Sequence, residues 1–523
     1  NFQEIKNQLA DFYPFQTGSD TEVILAAFAK WGIKCLQMLN GMFAFALWDS
    51  HEEKLWIARD RVGIKPLYYT IHEQSVVFAS ELRAILETEV VERKLNIKSL
   101  VEYLRYQTVH APNTLIDGIK MLMPGNYMLL SSNEIQIKEY WKPWQKLHFD
   151  QDPIKIQKNI REKLVASVER RMIADVPLGA FLSGGIDSSL LVGIMAGKLG
   201  KKVDTFNVSF DESEFSEAKY AAQVARKFGT NHHEIKLNPS DFLAALPYAL
   251  DAIDHPSGDG PNTWIVSRET KKMGIAVALS GLGGDELFAG YDVFTRIPSI
   301  AEQNWLVSFP KPMRALAGSL YHLSKGTMTS SKTREILTLD YFDLEHLYPV
   351  FRTVFQDKQL SKLLFDGRIT KNEVKQIVND LEQYQEFSML PTFSRIGVAE
   401  MSTYMQNVLL RDTDQMSMAH ALEVRVPFLD HELIEYVMQI PDTVKYPHSP
   451  KKLLVDSFAE LLPTEIVDRP KMGFVLPWAE WMKSDLKPFC EERLDLLKQH
   501  KAFSAPGINS LWSSFLNDSK MVT

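Results

Sequence analysis

Residues 178–197 read LGAFLSGGIDSSLLVGIMAG. An apolar run stops at Ser183, two glycines follow, then Asp187 with Ser188 and Ser189, and apolar residues resume. LGAFLS predicts a buried strand, and the residues from Ser188 onward predict a helix. Ligands of α/β sheets bind outside the carboxyl ends of the strands. Gly184 and Gly185 allow the backbone close to a ligand. Hydroxyls of Ser183, Ser188 and Ser189, with the free N–H groups of a helix N-terminus, make an anion site suited to phosphate. Asp187 is an awkward neighbour for phosphate unless a divalent cation bridges the two, and Mg²⁺ favours one or two carboxylates plus phosphates. An isolated Ser-Gly-Gly would read as a capped turn; the whole SGGIDSS between strand and helix reads as nucleotide-phosphate binding. No Walker A loop is present.

A second loop has the same layout. IAVALS (275–280) runs into SGLGGDELFAGY (280–291), with Ser280 and Gly281 at the strand end and Asp285 and Glu286 close behind. Glu286 stands where a dinucleotide fingerprint needs glycine. Two such loops on neighbouring strand ends could hold one polyphosphate between them, with Asp187 and Asp285 as the pair of Mg²⁺ ligands.

Outward from these loops, strands alternate with helices. VDTFNVSF (203–210) and HHEIKL follow as strands, with helices at 216–228, 241–252 and 263–273. That alternation predicts parallel βαβ units, an α/β class. Beyond residue 295 the chain reads as helical, and TMTSSK (327–332) reads as a mobile loop. Upstream lies an α+β unit. Residues 1–12 and 20–31 read as helices, and MFAFALWD (42–49), KLWIARD (54–60) and QSVVFAS (74–80) as strands. Residues 139–155, with two prolines and no period, read as a linker. His232 and His233 are expected before a strand, in structural roles.

The chain has 523 residues, 45% hydrophobic and 24% charged, and a formal net charge of −8. This balance disfavours nonspecific binding to nucleic acid or membranes. Two cysteines, Cys35 and Cys490, argue against a disulfide framework or a cysteine-ligated zinc site. No apolar run approaches the ~18 residues of a membrane span, and no leader pattern is seen, so a cytoplasmic location is expected. The chain opens NFQEIKNQLA, without Met and already helical in pattern, so the true N-terminus is expected upstream.

SGGIDSS is similar to the phosphate loop of the ATP pyrophosphatase superfamily. With GSDTEVILAAF, LNGMFAFALWD, ARDRVGIKPLYY, FASELRAIL, PGNYM, RMIADVPLGAF, SGLGGDELFAGY, MAHALEVRVPFLDHEL and RPKMGFVLP, the chain resembles the glutamine-hydrolysing asparagine synthetase family nearly end to end. The resemblance implies a glutaminase sandwich of the N-terminal-nucleophile type over 1–142, lacking its front. It implies an ATP pyrophosphatase domain over 150–523. Ammonia from glutamine would cross a tunnel, ATP with Mg²⁺ would adenylate a carboxylate, usually the β-carboxyl of aspartate, and ammonia would displace AMP. Small-molecule substrates and a homodimer are the implied partners.

Residue by residue, the resemblance puts Leu182, Val208, Ser280 and Gly281 around the nucleoside. It puts Ser183, Gly184, Gly185, Asp187 and Ser188 on pyrophosphate and metal, with Asp285 as the second metal ligand. Lys471 matches a lysine that follows developing phosphate charge, a task suited to a compact cation. Asp20 matches the acid that grips the glutamine α-amino group. Glu423 and Arg425 are expected to buttress the site, and Asp254 and Asp259 to help position substrate. Two departures stand out. Leu282 occupies a position where asparagine synthetases commonly carry glutamate, and it cannot exchange a proton; an acceptor other than aspartate, such as a sugar acid or a peptide, stays open. The family's N-terminal cysteine is expected upstream, and Cys35 reads as a buried thiol. The rival classes are a β-lactam-synthetase-like cyclising ligase and a non-catalytic scaffold; retention of Asp187, Asp285 and Lys471 speaks against the scaffold.

Overall fold

The protein is described from a computed structural model, which covers all residues except 74, 133, 146–149, 211–216, 259, 366, 368, 470–477 and 518–523. Alternating apolar positions in the first 140 residues form two antiparallel sheets. Strands β1 (Ala44–Asp49), β2 (Lys54–Arg59), β6 (Asn126–Leu130) and β7 (Ile135–Glu139) make one sheet, in the order β1-β2-β6-β7. Strands β3 (Tyr68–His72), β4 (Ser75–Ala79) and β5 (Lys120–Met121) make the other, in the order β4-β3-β5. Successive strand residues point to opposite faces. Ile57 and Met128 therefore meet Tyr69 and Leu122 between the sheets, while Ala58 and Tyr127 pack outward on the helices Phe2–Leu9 and Asp20–Trp31. The sequence did not reveal β3, β5 or β7, which are short or carry no clean apolar alternation.

The ARDRVGIKPLYY stretch is a buried polar turn. Asp60 accepts the N–H groups of Val62, Ile64 and Lys65 at 3.2, 2.9 and 2.9 Å. Arg59 donates to the carbonyls of Gly63, Lys65 and Leu122. A buried charge is tolerated when its hydrogen bonds are met in this way.

The third sheet is parallel throughout: β8 (Leu178–Phe181), β9 (Asp204–Phe210), β10 (Asn231–Leu237), β11 (Val277–Leu279) and β12 (Glu423–Arg425), in the order β10-β9-β8-β11-β12. The chain leaves β8 toward β9 and β10, then returns to β11 on the other side. The carboxyl ends of β8 and β11 thus flank the topological switch point, where ligands of such sheets bind. Both glycine loops start there. Glu423 and Arg425 belong to strand β12 of this sheet, and Arg425 donates to Glu423 and to the carbonyls of Arg171 and Ile173. His232 and His233 lie within β10 rather than before it; His233 stacks on Phe206.

Two other expectations are corrected. TMTSSK is no loop: Thr327 and Ser330 form a reciprocal capping box that starts the helix Met328–Ile336. The stretch read as a linker is packed against both units. Trp141 and Trp144 are buried in the main core, and Trp141 Nε1 donates to Glu435 at 2.6 Å. Further ties join the antiparallel sheets to the rest: Lys65 pairs with Asp414 at 2.9 Å, and Thr108 and Ala111 bond Asn407. Among the described residues no helix is long and apolar enough to cross a membrane.

Candidate active site

The loop after β8 is folded by its own small residues. Ser183 N–H donates to Ser188 Oγ at 3.2 Å, Gly185 N–H donates to Ser183 Oγ at 3.2 Å, and the two hydroxyls lie 3.0 Å apart. Gly184 has φ +73°, and a Cβ there would come within 2.7 Å of the Ala221 nitrogen and the Tyr220 Cβ. Only glycine fits both demands. The helix Ile186–Val192 begins at once, so its first-turn N–H groups face the loop.

The second loop packs directly onto the first. A Cβ on Gly281 would lie 2.9 Å from Asp187 Cβ, and one on Gly284 would lie 2.5 Å from the Asp187 carboxyl carbon. Ser280 N–H donates to the Arg425 carbonyl at 2.8 Å, which ties this loop to β12. Asp187 and Asp285 therefore converge. Between them sits Lys451: its ammonium contacts Asp187 Oδ2 and lies 2.6 Å from Asp285 Oδ1. Burial alone would push Lys451 down, but the two carboxylates outweigh it and hold the ammonium above its ordinary range. Nothing in HSPKKLLVD marks Lys451 as a site residue; its role appears only in three dimensions.

Arg469 flanks the first loop. It pairs with Glu217 at 2.5 Å and stacks on Tyr220, and its Nη1 is buried without a partner among the described residues, as is Ser189 Oγ. Such groups cost free energy unless something accepts from them. A phosphate-bearing nucleotide fits this place: glycines where Cβ atoms would collide, two serine hydroxyls, a helix N-terminus and an arginine with an unused donor. Mg²⁺ fits as well. Asp187 and Asp285 already share one cation, and two carboxylates with phosphate oxygens suit its coordination.

Behind the second loop, Glu286 is fully buried and accepts from Tyr291 OH at 2.9 Å. Burial, then the neighbouring Asp285 charge, push Glu286 up to about 7. Arg352 pairs in two-pronged fashion with the buried Glu400 and lies over the rings of Tyr404 and Tyr291. Beyond this stack is a cavity of about 250 Å³ whose wall includes His110, Lys332, Arg352, Thr403 and Tyr404. His110 Nδ1 faces the buried Glu102. Lys332 donates to the Phe351 carbonyl at 2.9 Å, and burial lowers its pKa.

A larger cavity, about 520 Å³, lies between the antiparallel unit and the helix Arg411–Met418. Asp20 lines it from one side, Arg411, Gln415 and Met418 from the other. Asp20 is exposed at the start of the helix Asp20–Trp31, whose N-cap Ser19 accepts from Thr21 N–H. Asp254 also reaches this cavity, but it is used structurally: its carboxylate accepts the N–H groups of Leu82 and Arg83. Leu182 is 0% exposed and Val208 6%, so a base at those positions would meet main chain rather than side chain. Leu282 packs against the main core. Cys35 is 0% exposed, and burial pushes its thiol up to about 11. Lys471 and Asp259 lie outside the described residues.

Comparison with known proteins bears on both halves. The family profile described as "Asparagine synthase" matches residues 159–519, and the one described as "Glutamine amidotransferase domain" matches 1–141. The chain is 30% identical to a glutamine-hydrolysing asparagine synthetase (number 1) of Bacillus subtilis, over 98% of this chain and 82% of that protein. It is 28% identical to a second such enzyme (number 3) of the same organism, over 91% and 74%, and 27% identical to amidase chry2 of Gibberella zeae, over 92% and 76%. Among solved structures, NMN synthetase from Francisella tularensis matches 27% of this chain and 59% of its own at 17% identity, with a TM-score of 0.20, and no conclusion rests on it. The chain belongs to the asparagine synthase family of carbon–nitrogen ligases.

Proposed function

We propose that the protein forms an amide from a carboxylate at the expense of ATP. Residues 150–523 carry the synthetase and 1–142 the glutaminase part. The observation that supports this most is the convergence of Asp187 and Asp285, from two glycine loops, on one buried cation. A carboxylate is a poor acyl donor. Its oxygen attacks the α-phosphorus of ATP, the bond to the β-phosphate oxygen breaks, and pyrophosphate leaves. Ammonia then attacks the acyl carbon of the mixed anhydride, AMP departs, and a proton is released.

Ser183, Gly184, Gly185 and Ser188 hold the pyrophosphate, with Arg469 beside them. Leu182, Val208, Ser280 and Gly281 surround the nucleoside, largely by main chain. Asp187 and Asp285 would hold Mg²⁺, which would neutralise charge on the departing pyrophosphate. Lys471 follows that charge as it develops. The ammonium of Lys451 bridges the two carboxylates that would hold the metal, so it places positive charge beside the phosphate loops. Asp20 orients glutamine, the nitrogen donor. The acceptor is the β-carboxyl of aspartate, whose body occupies the cavity lined by Lys332 and His110. Leu282 keeps a second reading open: with no carboxylate at that position, the acceptor is another acid, such as a sugar acid or a peptide.

The test is release of AMP and pyrophosphate with ATP, Mg²⁺ and ammonium, comparing aspartate with other carboxylates. Asparagine formed in step with AMP supports aspartate. Turnover on a different acid moves the acceptor while keeping the ATP chemistry. ADP and phosphate as products would sink the adenylation reading.

A further inference from the structure

Residues 303–334 read QNWLVSFPKPMRALAGSLYHLSKGTMTSSKTR. They carry Lys311, Arg314, Lys325, Lys332 and Arg334 and no Asp or Glu, in a chain of net charge −8. The segment forms a turn, Asn304–Ser308, then a helical hairpin of Lys311–Lys325 and Met328–Ile336, reversed at Gly326 with φ +62°.

The long helix of this hairpin is amphipathic the wrong way round for water. Its inward face is polar or small. Arg314 is 7% exposed and donates to the carbonyls of Phe309, Leu337 and Leu339. His322 meets Ser330 Oγ, and Gly318 lets the second helix approach until a Cβ would stand 3.0 Å from the Arg334 backbone. Its outward face is apolar. Met313, Leu316, Leu320 and Leu323 follow helical spacing and are 60, 62, 59 and 81% exposed. Trp305 and Phe309, from the preceding turn, extend the stripe at 63 and 46%, and Tyr321 borders it at 44%. A surface helix ordinarily turns this stripe to the core, and soluble monomers rarely expose contiguous apolar patches of more than a few hundred Å².

We infer that this face seats on an anionic lipid surface. A helix with leucines, methionine and aromatics outward and cations at the rim lies in the headgroup region with its apolar side down. The charge selects the lipid. Arg314 and Lys332 are held inward by backbone carbonyls and Lys311 pairs with Asp340; Lys325, exposed and with no ion pair among the described residues, is the cation at the rim that an anionic bilayer complements. A second copy of the chain is disfavoured by the same charge, because a two-fold contact would set one basic segment against another. The net charge of the whole chain argues against membranes; this local distribution reverses that argument for one face. No spanning helix is required, since the contact is peripheral.

The experiment is co-sedimentation of the full chain with phosphatidylcholine vesicles, with and without phosphatidylglycerol, alongside light scattering for oligomeric state. The expected result is at least about tenfold stronger binding to the anionic vesicles, weakening with salt. The double variant Leu316→Glu, Leu320→Glu and the single variant Lys325→Glu should each lose most of that binding. All three positions are exposed, so melting temperature and AMP release should stay at wild-type values and show that the fold is intact. Absence of vesicle binding overturns the inference, as does equal binding by the double variant. A dimer that the double variant dissociates, without lipid binding, would assign the face to a second copy instead.

Discussion

Replacing Gly284 by alanine tests whether the two glycine loops act as one site. A Cβ at this position would lie 2.5 Å from both the carboxyl carbon and Oδ1 of Asp187, where ordinary contact begins at 3.4 Å. Roughly 1 Å must be absorbed, and a displacement of that size in a reacting constellation costs about 100-fold in rate. Asp187 has little freedom to yield, because Lys451 holds its other oxygen and Gly281 packs on its Cβ. The expected outcome is a fall of about 100-fold in kcat for AMP release, with a folded protein. Gly274→Ala is the control. Its φ is +84° with no atom near the added Cβ, so it should cost about 1 kcal/mol of stability and leave turnover unchanged. Near-normal turnover in Gly284→Ala would refute the claim that Asp187 must keep its place against the second loop.

Further outcomes are expected. Lys451→Met removes the ammonium that Asp187 and Asp285 share, among side chains that are 8, 15 and 20% exposed. The loss should be about 3–5 kcal/mol in metal-free buffer, and added Mg²⁺ should restore much of the melting temperature; insensitivity to Mg²⁺ would remove the shared-cation site. Lys445 is 1% exposed, and burial lowers it to about 7, with Ser394 Oγ 2.6 Å from its Nζ. Between pH 7 and 10.5 the unfolded chain holds a proton that the folded chain does not, so stability rises with pH across that window. Lys445→Met should therefore stabilise the protein at pH 6 by on the order of 5 kcal/mol, less the lost serine bond, with the gain shrinking toward pH 10. A pH-independent difference in urea denaturation would contradict the buried-amine assignment. Lys332→Met should raise the acceptor KM about tenfold with a smaller change in kcat; an unchanged KM would place the acceptor elsewhere.

Much of the site could be read along the chain because its parts are local. SGGIDSS and SGLGGDE each hold strand end, glycines and acid within a few residues, and the alternation around them predicts the parallel sheet. What escaped reading comes from distant segments. Lys451 arrives from 166 positions beyond Asp285 with no surrounding motif, and Arg469 becomes a site residue only because Tyr220 and Glu217 turn it toward the first loop. Strand β12 is three residues long, below any periodic signal, and exists because β11 offers an edge. TMTSSK misled because serine and threonine favour turns and helix caps alike. The inverted helix 311–325 could have been suspected from Arg314 and His322 facing the opposite side from four large apolar residues, but periodicity does not say which side is the core.

The most direct test of the central claim follows oxygen. Aspartate labelled with ¹⁸O in its carboxylates, or the alternative acid that supports turnover, is incubated with the protein, ATP, Mg²⁺ and ammonium, and the products are read by mass spectrometry. Attack of the carboxylate on the α-phosphorus predicts one labelled oxygen transferred to AMP and none to pyrophosphate. Label in inorganic phosphate, or unlabelled AMP alongside amide product, would contradict adenylation at the paired glycine loops.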